Sequence, residues 1–319
     1  ITFPYTKDFK KELHIPKDAL YKGKPRSRIA YLCASKRMDW EPVAWTEFDG
    51  KNIVFTDIQK GPVMRVATYE RGRLRFWTDP FEINVSNEFH FFTPSDSVQD
   101  VTLFAKYTLR ADEMFLNRMI GGTFEGSNDP DFREKEVLYL INEKPKRLQT
   151  VVQSYSSKSY RYVRYIGPKD SHCNIAEAAF YTPNDTASLK GKVIGTPGCF
   201  QKDGSHEYTN VFDGDVTTSF DYIEPSGGWS GLDLGTPKQI GRIVYTPRSY
   251  DNYIRSGDDY ELFYCARRNN WKSLGDQRSK ADSLIYIKIP VNALLLLCNN
   301  TRGIQERIFV YTAAEQIWK

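Results

Sequence analysis

Cysteine is scarce in this chain of 319 residues, and what there is does not cluster. The five thiols, Cys33, Cys173, Cys199, Cys265 and Cys298, form no CxxC pair and show no ligand-like spacing with the four histidines, which argues against a zinc site. An odd, sparse set also argues against a disulfide framework. Buried free thiols are the expectation, with a single bridge as the alternative. Long hydrophobic runs are missing as well. The longest, NALLLLC at 292–298, suits a buried strand and is far too short to span a bilayer, so no transmembrane segment is expected. Nor is there an excess of one charge: the net value is only +4 and the basic residues are scattered, which gives no electrostatic case for nucleic acid. The densest basic run, KPKR at 144–147, reads as a solvated loop.

Catalytic signatures are missing too. The chain holds no GxSxG, phosphate loop, HExxH or GxGxxG. A papain-like or transglutaminase site needs a cysteine at a helix start, with His and Asp or Asn downstream. Cys33 sits mid-strand in AYLCAS, Cys265 and Cys298 end apolar runs, and Cys199 lies in a loop. Cys173 adjoins His172, and neighbours along a strand point apart. Carboxylates are abundant, and a glycosidase pair is not identifiable among them. The expectation is a non-enzymatic protein, with a cryptic hydrolase or lyase as the alternative.

What the chain does have is aromatics: 20 Tyr, 19 Phe and 6 Trp, residues that favour strands. Residues 1–28 are Lys-rich and weakly patterned and read as an N-terminal arm, with one short helix expected at DFKKEL. From Ile29 short apolar runs succeed one another (IAYLCAS, KNIVFTDI, VMRVATYE, RLRFWTD, FEINV, FHFFTP), punctuated by Gly, Pro, Asp and Asn at strand-and-turn spacing. YERGRLRFW reads as a hairpin with Gly72 in its turn. Residues 29–99 are therefore expected to form a β-sandwich, immunoglobulin-like or part of a first jelly roll. A second block, 100–183, carries mostly strands with a helical piece at RADEMFLNRM. PNDTASLKGK supplies a linker at 184–189, and 190–319 again reads as strands. The segments 160–181 and 293–311 echo one another, which suggests two copies of one architecture. The fold class expected is all-β, in tandem sandwich modules.

One stretch, SHEYTNVFDGDVTTSFDYIEPSGGWSGLDLG at 205–235, gathers acids and hydroxyls. Asp213, Asp215 and Thr218 lie within six residues, and Gly214 between the acids lets the backbone bend sharply. Carboxylate, hydroxyl and carbonyl oxygens held so close suit a hard cation such as Ca2+, which accepts an irregular oxygen cage. A plain hairpin or Asx turn explains the same residues equally well.

TNVFDGDVTTSFDY, followed by GGWSGLDLG, IGRIVYTPR and a closing strand ending in Tyr, resembles the discoidin domain, also called the coagulation factor 5/8 type C domain, whose fold family-32 carbohydrate-binding modules share. The resemblance implies that 190–319 is a discoidin-like (galactose-binding-like) jelly roll with a structural Ca2+. Asp213, Asp215 and Thr218 would be ligands, and Glu306, before the closing strand RIFVY, would complete the cage. MIGGTFEGSNDPDF and YRYVRYIGPKDSHCNIAEAAFY in the middle block resemble the latter strands of the same family, with Glu177 in the position of Glu306. In its order of modules, and in the segment 29–83 that opens with IAYLCASKRMDWEPVAWTEF and ends in DPFEI, the whole chain resembles the non-catalytic C-terminal half of secreted transglutaminase-like proteins of the Bacteroidetes.

The loops at one end of such a roll are the natural recognition surface. Arg248, Tyr250, Asn252 and Arg255 crowd polar aromatics and guanidinia into one loop, and Tyr222, Trp229 and Arg302 come from neighbouring ones. Their plain structural roles are weighed beside this: Trp229 as core, Tyr222 as packing over the acidic bend, Arg248 paired with a nearby aspartate. The expected partner is a carbohydrate, bound without catalysis, by a protein that is secreted, periplasmic or anchored to the outer membrane. The chain begins at Ile1 without a Met, so its native start is expected to lie upstream, and a removed secretion signal is compatible with this without being shown by it. The competing reading is a set of docking or spacer modules for a protein partner or a separate catalytic domain.

Overall fold

The computed structural model describes residues 9–23, 25–35, 37–48, 52–106, 110–268, 271–303 and 306–319, and for 110–113 the backbone alone. The chain divides into two compact units, residues 1–107 together with 254–319, and residues 108–253. Its regular structure is nearly all strand. The first unit opens with β1 (Phe9–His14), β2 (Ile29–Ser35), β3 (Glu41–Glu47), β4 (Val54–Gln59), β5 (Val63–Glu70), β6 (Arg73–Phe76), β7 (Phe81–Ile83), β8 (Phe89–Phe91) and β9 (Val98–Leu103). The second carries helix α1 (Arg110–Arg118), then β10 (Thr123–Ser127), β11 (Lys135–Leu140), β12 (Thr150–Gln153), β13 (Ser159–Ile166), β14 (Ile175–Tyr181), β15 (Lys192–Gly195), β16 (Trp229–Gln239) and β17 (Arg242–Pro247). The chain then returns to the first unit with β18 (Asp259–Cys265), β19 (Trp271–Arg278), β20 (Leu284–Pro290), β21 (Leu295–Asn299), β22 (Phe309–Thr312) and β23 (Glu315–Trp318).

All-β architecture is as the aromatic, turn-punctuated sequence implies. The module boundaries are not. Residues 190–319 do not close a roll of their own, because β15 to β17 belong with the strands of 123–181 while β18 to β23 belong with the N-terminal third. The expected helix at DFKKEL is strand β1, which pairs antiparallel with β4 from Phe9↔Gln59 to His14↔Val54. Pairing with β4 and the burial of Leu13 override the local helical preference of Lys, Glu and Leu.

In the first unit β3, β2, β5, β7 and β8 form one sheet with β6 paired to β5, and the pair β1–β4 covers it. Leu13 and Phe55 from the pair join Leu32, Val66 and Phe81 from the sheet in one core. A second sheet, β19-β18-β21-β22-β23, has its own core with the pair β20–β9.

The second unit is a sandwich of a five-stranded sheet, β11-β10-β13-β16-β15, on a three-stranded one, β12-β17-β14. Its core runs through Phe124, Val163, Tyr165, Phe180, Phe220, Ile243 and Tyr245. Burying each large side chain of this kind contributes about 1.5–3 kcal/mol. The period-2 pattern of β14 turns Ala178 and Phe180 to the core and leaves Glu177 partly accessible on the other face. Helix α1 forms where RADEMFLNRM implies, burying Phe115, Leu116 and, just past its end, Met119.

Candidate functional site

Two places in the second unit gather chemistry. The first is the acidic bend. A 3-10 turn, Tyr208–Phe212, runs into Asp213, and Gly214 follows at φ +83, a conformation that glycine adopts without steric cost. The Asp213 carboxylate accepts the Asp215 N–H at 2.7 Å and the Thr218 hydroxyl at 2.8 Å. Asp215 turns its own carboxylate to the Thr217 N–H and hydroxyl, at 2.9 and 2.6 Å, as an Asx-type turn does. Glu177 reaches the bend from β14, and its Oε1 accepts the Gly214 N–H at 2.9 Å. Burial, and then the neighbouring Asp213, push the Glu177 carboxyl up to about 8. Beside this pair lies a hollow of about 290 Å3 whose wall includes Lys190 and Ser188.

The glutamate that reaches the bend is therefore Glu177 and not Glu306. Glu306 belongs to the first unit, where its half-buried carboxyl pairs with the Cys298 thiol. The oxygens that fit a hard cation are the Asp213 and Glu177 carboxylates and the Thr218 hydroxyl, because the Asp215 carbonyl already accepts the Thr218 N–H at 3.0 Å and its hydroxyl at 2.9 Å. The Asp215 carboxylate is taken by its own turn. Among the described residues no group of three or more His, Cys, Asp or Glu is arranged to hold a metal, so the rest of any cage would be neutral oxygens and water.

The second place is a cluster of loops on Asp221, which is buried. Its Oδ1 accepts the Asn174 amide at 2.6 Å, and its Oδ2 accepts the Arg248 guanidinium. Asn174 Oδ1 in turn accepts Arg118 from α1 at 3.0 Å. The Arg248 guanidinium lies 4.4 Å over the Phe115 ring, and that ring is 5.7 Å from Tyr250. The Asp221 backbone ties in another loop, its carbonyl accepting the Phe200 N–H at 2.8 Å. Phe200 is 58% exposed and meets His172 edge-on at 5.8 Å, while His172 Nδ1 lies 3.0 Å from the Tyr222 carbonyl. Tyr250 is 48% exposed. Two accessible rings thus flank a fixed network of two guanidinia, an amide and one carboxylate.

Of the residues expected at a binding face, Arg248 and Tyr250 meet here around Phe115, while Tyr222 joins through its carbonyl and packs its ring on Phe220 at 6.0 Å. Trp229 does not: its indole packs 5.7 Å from Phe132 and under the Arg164 guanidinium at 5.1 Å. Asn252 is buried, and Arg255 and Arg302 lie in the first unit, where Arg302 Nε donates to Asp258 at 2.6 Å. Sequence reasoning does not find Arg118, Asn174, Phe200 or Asp221. Only Phe200 offers a signal, as a lone aromatic among the Gly, Gln, Lys and Asp of its loop. All five cysteines are free, and burial raises the Cys173 thiol to about 12, so it is no ready nucleophile beside His172.

No protein-family model matches the chain. No curated protein and no solved structure matches it either.

Proposed function

We propose that residues 108–253 form a discoidin-like jelly roll, braced by a cation at Asp213 and Glu177, that binds a carbohydrate without catalysis at the Asp221 loop cluster. The five-on-three sandwich supports the reading, as does the meeting of the acidic bend with a glutamate on the strand Ile175–Tyr181. The order of the two is reversed relative to the family pattern, since the glutamate-bearing strand precedes the bend in the chain. A sandwich is defined by which strands pair, and a changed starting point in the same ring of connections keeps those pairings.

The observation that carries the binding assignment is the pair of exposed rings, Phe200 and Tyr250, beside the Arg248–Asp221–Asn174–Arg118 network. A ring presents an apolar face to the C–H surface of a sugar, and the partly exposed Arg118 guanidinium offers donors to its hydroxyls, while buried Asn174 and Asp221 hold Arg118 and Arg248 in place. We place such a protein outside the cytoplasm, secreted, periplasmic or surface-attached, where glycans are met.

The test is a glycan array and affinity gels on the full chain. Retention on at least one polysaccharide is expected, lost in Phe200→Ala with Tyr250→Ala while the melting temperature holds. Equal retention by wild type and variant would move the site elsewhere, and no retention on any glycan would reject the reading.

A further inference from the structure

The hairpin β5–β6 of the first unit carries a feature that the loop cluster of the second does not explain. Glu70 pairs with Arg73 across the strands and Tyr69 with Leu74, and the turn between them is Arg71–Gly72. Both turn residues have positive φ, 53 for Arg71 and 75 for Gly72, as in the tight hairpin turns where Asn, Asp or Gly is preferred first. An arginine in that left-handed position is sterically disfavoured. The sequence nevertheless sets one guanidinium there and others at 73 and 75, alternate positions that share a strand face about 6.6–7 Å apart.

The tip closes a hollow of about 290 Å3 lined by Arg26, Glu70, Arg71, Arg73, Leu74 and Arg75. Its single carboxylate is committed: Glu70 Oε2 accepts Arg75 Nη1 at 2.9 Å and Oε1 accepts the Arg26 N–H at 3.3 Å. Arg75 holds that carboxyl below its ordinary range, so it stays ionised and keeps its arginine in place. Among the described residues Arg71 and Arg73 have no acidic partner. Four guanidinia against one carboxylate leave three positive charges in excess. On the opposite face of the hairpin Tyr69, 48% exposed, meets Tyr31 edge-on at 5.5 Å.

We infer that this hairpin is a second binding site, specific for an anionic glycan, one whose sugars carry sulfate or carboxylate groups. Arg71, Arg73 and Arg26 receive the anionic groups, for which guanidinium offers a planar two-pronged donor. Arg75 is oriented by Glu70, and because Tyr69 and Leu74 alternate to the opposite face of the hairpin, recognition at the tip is carried by the guanidinia. A polynucleotide fits less well, because the arginine face of the hairpin offers no ring on which a base could stack.

The experiment uses the full chain in affinity electrophoresis and titration calorimetry against heparin, polygalacturonate, a neutral galactan, duplex DNA and vesicles of phosphatidylcholine with phosphatidylserine. The variant is Arg71→Asn with Arg73→Gln, in which Asn suits the left-handed turn and preserves the hairpin. Binding to heparin or polygalacturonate is expected, weakening with salt and at least about tenfold weaker in the variant. Binding to neither at low salt, or equal binding by the variant, would overturn the site. A like loss on DNA or on the vesicles, at equal affinity, would overturn the glycan assignment. Phe200→Ala with Tyr250→Ala should leave heparin binding intact. This separates failure here from failure at the loop cluster.

Discussion

Glu177 and Asp213 face one another across the acidic bend, the glutamate accepting the N–H of the very next residue, Gly214, at 2.9 Å. Two carboxyl groups so placed repel when both are ionised, and the bend holds together by keeping a proton or by taking a cation. That choice makes the bend's contribution to stability depend on pH and on metal.

Without a cation, the folded Glu177 carboxyl titrates at about 8 against an ordinary value of 4.5. Between those pH values the folded state binds the extra proton, so stability falls as pH rises from about 4.5 to 8. Thermal unfolding of chelator-treated protein should show a higher melting temperature at pH 5 than at pH 8. On the proposed cation site, added Ca2+ should raise the pH 8 value, since a cation held only by the folded state stabilises that state. Glu177→Gln should flatten both responses, and a chelated wild type with no pH trend would remove the carboxyl pair as a coupled unit.

Asp221 is the acceptor on which the loop cluster turns. Asp221→Ala strands the Arg248 guanidinium, which is nearly buried, and frees the Asn174 amide. The expected cost is about 2–4 kcal/mol, near the lower end for breaking a buried pair. Denaturant titration should show the loss in the transition of residues 108–253. A change under about 0.5 kcal/mol, within the range of ordinary surface substitutions, would mean that the network is not structural.

Glu125 and Arg164 pair across β10 and β13. Arg164 Nη2 meets Glu125 Oε2 at 2.7 Å, and Lys135 Nζ meets Oε1 at 2.7 Å. Both Glu125 and Arg164 are buried. Glu125→Ala should cost about 3–5 kcal/mol by leaving the guanidinium uncompensated, and Glu125→Gln distinctly less. Equal losses in the two would point to packing rather than charge.

Phe180 is fully buried on β14, 6.0 Å from Phe124 and 6.5 Å from Phe212, the residue before Asp213. Phe180→Ala should destabilise the second unit by about 3–5 kcal/mol. It should also weaken Ca2+ stabilisation, since Phe212 carries the bend. Cation response unchanged in a cavity-bearing variant would uncouple bend from core.

Much of this is legible in the sequence, and the pattern of what is not has a physical cause. The hairpin YERGRLRFW, the helix in RADEMFLNRM and the strands IAYLCAS, VMRVATYE and IAEAAFY come from short-range alternation and turn chemistry. So does the presence of an acidic bend at Asp213. Which strands pair is a long-range matter that local pattern does not carry. The segments 160–181 and 229–247 read as parts of two modules, yet Ile166 pairs with Trp229 and Tyr181 with Arg242. That Glu177 and not Glu306 reaches the acidic bend is hidden for the same reason: both precede or lie on a strand that ends in Tyr, and only the pairing of β14 with β17 tells them apart. Asn174 and Asp221 are invisible for this reason too, since their roles exist only once the loops meet.

The strand Val98–Leu103 has its partner in Leu284–Pro290, with Leu103 opposite Leu284. As a ribosome extrudes the chain, this edge waits for roughly 180 further residues, about 10–40 s of synthesis, before the apolar side chains Val101 and Leu103 can be covered. During that interval residues 108–253 emerge complete and are free to fold, so the inserted sandwich matures first and the host seals last. A ribosome-associated chaperone that shields nascent hydrophobic strands should therefore dwell on residues 98–103 longer than on any strand of the insert.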